Sequence, residues 1–236
     1  MILRGQKGSL IVVDGPSGTG KDSLIKALTL SLSGLGLPVK TFSEEKSDDR
    51  RDEILQARQE GRKKGGTGDL EMTNVLVEHR ASLHNIYVNP VLSEGGIVVA
   101  NRGETATEAY QAVNGELTLG DVWKKHREVG VPVPNLVVIT TCSPEEAVLR
   151  ISRDNQRSGA GRKEQEQGTG LSGKVTVEQG AKKEVKLEKQ KRIHEQFELV
   201  KVFLKEKGVK VLTLNTGELT VDQEVRAVLT ELGFKK

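Results

Sequence analysis

The stretch DGPSGTGKDS, residues 14–23, holds the densest set of side chains able to do chemistry. Gly15, Gly20 and Lys21 keep the spacing G-x-x-x-x-G-K-[ST], whose glycines let backbone N–H groups wrap a polyphosphate while the lysine reaches its β- and γ-phosphates. Asp22 breaks the pattern, because it stands where a hydroxyl residue normally helps to coordinate Mg²⁺. Magnesium accepts a carboxylate oxygen, directly or through water, and Ser23 offers a hydroxyl one position later. A carboxylate at a helix start is also electrostatically favoured. Residues Gly15, Pro16, Ser17, Gly18, Thr19, Gly20, Lys21, Asp22 and Ser23 therefore read as a phosphate site with a metal beside it.

Such a loop works only between a strand and a helix, and the sequence supplies both: SLIVVD precedes it and LIKAL follows. Five runs rich in β-branched residues recur along the chain, at 9–14, 39–42, 97–101, 136–140 and 209–214. Their near-continuous apolarity suits strands covered on both faces. Helical patterns lie between them at about 21–34, 50–60, 70–94, 104–113, 119–129, 144–156, 183–207 and 221–232. Pro144 fits a first helical turn after Ser143, and Gly34, Gly130, Gly208 and Gly233 fit helix stops. The alternation predicts a three-layer α/β/α sandwich around a five-stranded parallel sheet. Two segments fall outside it: GRKKGGTG at 61–68, and a polar, glycine-punctuated stretch at 158–183 in which only KVTV hints at a strand.

The 236 residues suit one domain of this kind, with an insert at about 154–183. Net charge is +3, yet residues 150–192 hold twelve Lys/Arg against six Asp/Glu, so the basic character belongs to one segment. With aromatics at 3%, stacking platforms for single-stranded nucleic acid are scarce. No apolar run is long enough to cross a bilayer. The single cysteine, Cys142, ends an apolar run as a packing residue, and a reducing cytoplasm is the expected setting. The four histidines show no metal spacing.

The loop alone does not choose an acceptor. Neither N/T-K-x-D nor D-x-x-G of the GTPase switches occurs, and no second apolar strand ends in a carboxylate, as motor and transporter ATPases require. NRGETATEAYQ, residues 101–111, resembles the D-R-x-x-x-S-x-x-A-Y-Q segment of thymidylate kinases. LVEHRASLHNIYVNPVLSEGGIVVANR, VPVPNLVVITTCSPEEAVLRI and KRIHEQFELV look like that family's long helix, its fourth strand with the helix entering the lid, and the helix leaving the lid. The resemblance implies a P-loop kinase with ATP and Mg²⁺, a nucleotide acceptor, no nucleic-acid or membrane partner, and a homodimer. It assigns Lys21 and Arg102 to the phosphates, with Arg153 and Arg157 as lid arginines over the transferring group. Arg80 would approach the acceptor base, and Tyr110 and Gln111 its sugar and base. Asp14 matches an acidic position that joins the magnesium network with Asp22 and Ser23.

Departures gather on the acceptor side. The D-R pair has become Asn101–Arg102, a loop carboxylate falls at Ser17, and the aromatic that stacks on thymine falls at Leu76. The arginine expected to hold the acceptor phosphate falls at Glu45, with Lys46, Arg50 or Arg51 as substitutes. K-D-S also resembles the loop of ribose bisphosphokinases. Three readings follow: a kinase of nucleoside monophosphates with a dTMP-like acceptor, a kinase of a nucleoside or small sugar phosphate, and a non-catalytic nucleotide-binding protein.

Overall fold

Alternation within one strand decides the architecture. In β1 (Ser9–Asp14), Leu10 and Val12 enter one apolar cluster and Ile11 and Val13 the other, so both faces of the sheet are covered. The structure, a computed structural model, describes residues 8–44, 70–112, 117–157 and 174–234. Its elements run β1, α1 (Lys21–Gly34), β2 (Val39–Ser43), α2 (Leu70–Leu83), a π turn (His84–Val88), α3 (Asn89–Ser93), β3 (Ile97–Asn101) and α4 (Glu104–Thr107). A second π turn (Glu108–Ala112) follows, then α5 (Leu119–Glu128), β4 (Leu136–Thr141), α6 (Pro144–Arg157), α7 (Lys174–Glu206), β5 (Val211–Asn215) and α8 (Val221–Glu231).

All five strands are parallel, in the order β2-β3-β1-β4-β5. The expected sandwich is present. Leu24, Leu28 and Leu32 of α1 join Val225 and Val228 of α8 on one face of the sheet. Leu83, Val88, Ala109, Phe197, Val200 and Leu204 cover the other. Because the order steps outward from β1 in both directions, the carboxyl ends of β1 and β3 lie side by side, with Val13 opposite Asn101. A crevice at such a reversal of strand order is where α/β sheets bind ligands.

The helical patterns hold with local corrections. The pattern at 70–94 is interrupted by the first π turn and the one at 104–113 by the second. KVTV, read as a hint of strand, lies in α7 instead, which begins at Lys174 rather than at 183. The last strand starts at Val211 rather than 209. Gly34 is still helical, and the left-handed residue after α1 is Gly36, with φ of 74°. Gly130, Gly208 and Gly233 do take positive φ at helix ends. Ser143 caps α6 by accepting the Glu146 N–H at 3.2 Å. The helix expected at 50–60, GRKKGGTG and most of the 158–183 insert lie outside the described residues. Among the described residues no helix is long and apolar enough to cross a membrane.

Two helices start on reciprocal caps. Thr118 Oγ1 accepts the Asp121 N–H at 3.2 Å while Asp121 Oδ2 accepts the Thr118 N–H at 2.9 Å. Thr220 and Gln223 repeat the device at α8. Loss of such a cap costs about 1 kcal/mol. Thr118→Ala is therefore expected to lower unfolding free energy by about that amount in urea titration, and Thr118→Ser to restore most of it.

Candidate active site

The loop after β1 turns on glycines that nothing else could replace. Gly15 has φ of 140°, and a Cβ there would lie 2.2 Å from the Thr140 carbonyl oxygen. Gly18, with φ of 82°, would meet the Ala147 carbonyl at 2.5 Å. The loop is pinned from below: the Thr19 and Thr140 hydroxyls lie 2.7 Å apart, and Thr19 Oγ1 donates to the Pro16 carbonyl at 2.8 Å. Gly20, also left-handed, opens α1. Backbone N–H groups thus collect at a helix N-terminus, which is an anion site by construction.

Lys21 is buried, and its Nζ donates to the carbonyls of Gly15 and Pro16 at 2.9 and 2.7 Å. Burial, reinforced by Arg102, lowers its pKa to about 8, against the pull of Asp14 and Asp22. Asp14 is fully buried; its Oδ1 accepts the Gly15 N–H at 2.8 Å and lies 3.6 Å from Arg102 Nη1. Burial raises its pKa, offset in part by Arg102 and Lys21. Asp14 Oδ2 is buried without a hydrogen-bond partner among the described residues. An orphaned carboxylate oxygen beside a phosphate loop fits a hard cation such as Mg²⁺, which takes one or two carboxylates and leaves its other positions to phosphates and water. Asp22 and Ser23 are exposed on α1, about 100° apart around the helix. Asp22 Oδ1 accepts from Asn101 Nδ2 at 2.7 Å.

Arg102 has φ of 70°, the one non-glycine residue in the left-handed region among those described. Strain of this kind clusters where a side chain must be aimed. Its N–H still donates to the Val13 carbonyl at 3.0 Å, so the turn leaves β3 sharply while keeping one more rung to β1. The guanidinium faces Asp14, and the Tyr110 hydroxyl lies within hydrogen-bonding reach of the Arg102 and Ser17 side chains. Tyr110 therefore serves twice: its ring packs edge-on to Phe197 at 6.1 Å, and its hydroxyl faces the loop. The structure thus brings together Asp14, Ser17, Lys21, Asp22, Asn101, Arg102 and Tyr110.

Other expected residues are placed differently. Arg80 is 2% exposed and its guanidinium is enclosed. Glu44 binds it through both oxygens, while Nη1 faces Thr107 Oγ1 at 3.0 Å and His126 Nε2. His126 Nδ1 lies 2.8 Å from the Val122 carbonyl, which makes Nδ1 the donor and Nε2 the acceptor for Arg80. Burial, then Arg80, keeps that imidazole neutral, with its pKa lowered to about 2. Leu76 is half-buried one turn before Arg80. Arg153 is exposed on α6. Glu45, and the Gln111 and Arg157 side chains, lie outside the described residues.

Sequence reasoning missed two groups. Arg150 of α6 donates to Thr216 through Nη1 and Nη2, both at 2.9 Å, and to Glu146 at 2.7 Å, bracing the turn after β5 near Gly20. Its signal was the Glu146/Arg150 spacing on one helix face. The second group is a buried acid pair behind the site. Glu104 pairs with Arg127, itself 4.5 Å over the Trp123 ring, yet Glu104 Oε1 and both Glu108 oxygens lack partners among the described residues. Burial raises Glu104 to about 7, and burial plus the neighbouring Glu104 puts Glu108 well above the carboxylate range.

Comparison with known proteins adds to this geometry. The family model described as Thymidylate kinase matches residues 13–201. The chain is 28% identical over 153 residues to a thymidylate kinase of Bacillus velezensis, covering 64% of this chain and 71% of the relative. It is 28% identical over 145 residues to one of Desulfotalea psychrophila, covering 61% and 69%. A thymidylate kinase of Leptospira interrogans is 26% identical over 151 residues, covering 64% and 72%.

Glu108 generates a pH prediction. With its folded pKa raised, the native state holds a proton that the unfolded chain releases above about 4.5, so its contribution is intact below that pH and stability falls as pH rises towards the folded pKa. Glu108→Gln keeps the shape and removes the ionisation. It is expected to exceed the wild type by more than about 1 kcal/mol at pH 8 and to match it near pH 4 in chemical denaturation. An equal effect at both pH values would mean that Glu108 is ionised in the fold.

Proposed function

The chain belongs to the thymidylate kinase family, and on that premise we propose that it transfers a phosphoryl group from ATP to a nucleoside monophosphate, with a dTMP-like acceptor. The observation that carries the reading is the convergence of Lys21, Arg102 and the N–H groups of the glycine loop at the carboxyl ends of β1 and β3. Phosphoryl transfer asks little covalent chemistry of a protein; it needs the reacting groups positioned and their charge neutralised.

In this reading the loop, Gly15 to Ser23, holds the triphosphate. Lys21 leaves the carbonyls of Gly15 and Pro16 for the phosphates, whose negative charge favours its ammonium form. Arg102, aimed by its strained backbone, neutralises charge developing on the transferred group. Mg²⁺, held by Asp14 and Asp22 with Ser23 at hand, supplies further neutralisation when bound. Tyr110 keeps Arg102 and Ser17 in place and, with Gln111, borders the acceptor. Arg153 and Arg157 belong to a basic lid formed by the insert at about 154–183, and the working assembly is a homodimer.

One observation favours a different acceptor. Glu44, Thr107 and His126 already engage Arg80, the residue expected to read a thymine-like base. A kinase of a nucleoside or small sugar phosphate would need no free arginine there. A screen with ATP–Mg²⁺ separates the two: turnover of dTMP above other nucleotides supports the first, and turnover of a nucleoside or sugar phosphate but not of monophosphates supports the second. Under either reading Lys21→Ala is expected to lower kcat by on the order of 100-fold or more, because that charge acts on the reacting phosphates. Unchanged turnover in a folded Lys21→Ala protein would rule out the mechanism.

A further inference from the structure

Two departures that look independent along the chain meet in space. Asp22 replaces the hydroxyl residue of the loop, and 79 positions later Asn101 replaces the carboxylate of the D-R pair. The structure joins them by a single hydrogen bond of 2.7 Å from Asn101 Nδ2 to Asp22 Oδ1. We infer that the two substitutions are one exchange: the carboxylate that serves the metal on the nucleotide phosphates is carried by the start of α1 instead of the end of β3, and Asn101 positions it.

The geometry makes each change require the other. Asn101 closes β3 in register with Val13, so its side chain stands next to the end of β1 and across from the first turn of α1. An aspartate at 101 would place a second carboxylate against Asp22, and like charges at that separation disfavour each other's ionised form. An amide of the same shape turns repulsion into donation. The hydrogen bond occupies Oδ1, and no hydrogen bond among the described residues engages Oδ2, which is left for a cation or its water. Asp14 supplies an independent sign that a cation belongs here, since its buried Oδ2 is unpartnered one residue beyond Val13 on the adjacent strand. Asn101 therefore marks relocation of a charge, not its loss, and a non-catalytic reading draws no support from it.

This inference rests on the reading of residues 15–23 as a nucleotide site, and the experiment keeps the two apart. Affinity of the protein–ADP complex for Mn²⁺ is measured by electron paramagnetic resonance, and ADP binding in EDTA by calorimetry. The variants are Asp22→Asn, Asn101→Asp and the double D22N/N101D. Asp22→Asn is expected to weaken Mn²⁺ binding by about tenfold or more while metal-free ADP binding holds or tightens. The double variant, which returns the carboxylate to the strand, is expected to recover Mn²⁺ affinity to within about threefold of the wild type. Asn101→Asp alone, with two facing carboxylates, is expected to lose metal-free ADP affinity and to make Mn²⁺ binding more pH-dependent. Unaltered Mn²⁺ affinity in Asp22→Asn, or no recovery in a folded double variant, overturns the exchange and leaves the kinase reading standing. Failure of the wild type to take up ADP with or without metal overturns both.

Discussion

The contact between Gly15 and the Thr140 carbonyl is the constraint on which the site depends. It brings the backbone after β1 so close to the end of β4 that no side chain fits there. The Thr19–Thr140 hydroxyl contact locks the same two segments from the other side. With the loop held this way, Lys21 has no choice but to fold back over it, and Asp14 is sealed beneath. The sheet itself thus holds the loop in one shape.

Behind the loop, charge is arranged in depth. Buried Arg80 and half-buried Glu44 form a bidentate pair that ties the end of β2 to α2, and Thr107 and His126 extend the tie to α4 and α5. Burial alone would raise the Glu44 carboxyl, yet Arg80 beside it holds it below the usual range, so the pair stays ionised. Arg127 pairs with Glu104, while burial and the neighbouring Glu104 raise Glu108 against the pull of Arg127 and Arg80. The Arg80 cluster fixes the relative placement of β2, α2, α4 and α5 and occupies the Arg80 guanidinium.

Much of this was legible in the residues. Continuous apolar runs announce strands buried on both faces, and the parallel sheet follows. The phosphate loop declares itself through spacing between a strand and a helix. What could not be read was long-range polar pairing. Nothing local in TFSEE says that Glu44 will meet Arg80 36 positions later, because partners across elements are chosen by topology. Asn101 and Asp22 escaped for the same reason and looked like two defects instead of one bond. KVTV misled because β-branched residues favour strands only where a sheet edge is there to receive them, and a long helix took them instead. The π turns were invisible as well, since a single extra residue per turn leaves the apolar spacing almost unchanged.

The charges around Lys21 and those around Arg80 are closed off in different ways. The Lys21 ammonium is satisfied by two loop carbonyls and offset by Asp14 and Asp22, so the centre is internally bonded. On the proposed function, a bound triphosphate would replace those two hydrogen bonds with charge-assisted ones, which are stronger. Loop, lysine and carboxylates are thereby linked electrostatically, and Asp22 is met by the Asn101 amide. The polar groups around Arg80 answer to one another across β2, α2, α4 and α5, and Glu44, Thr107 and His126 together take up its guanidinium.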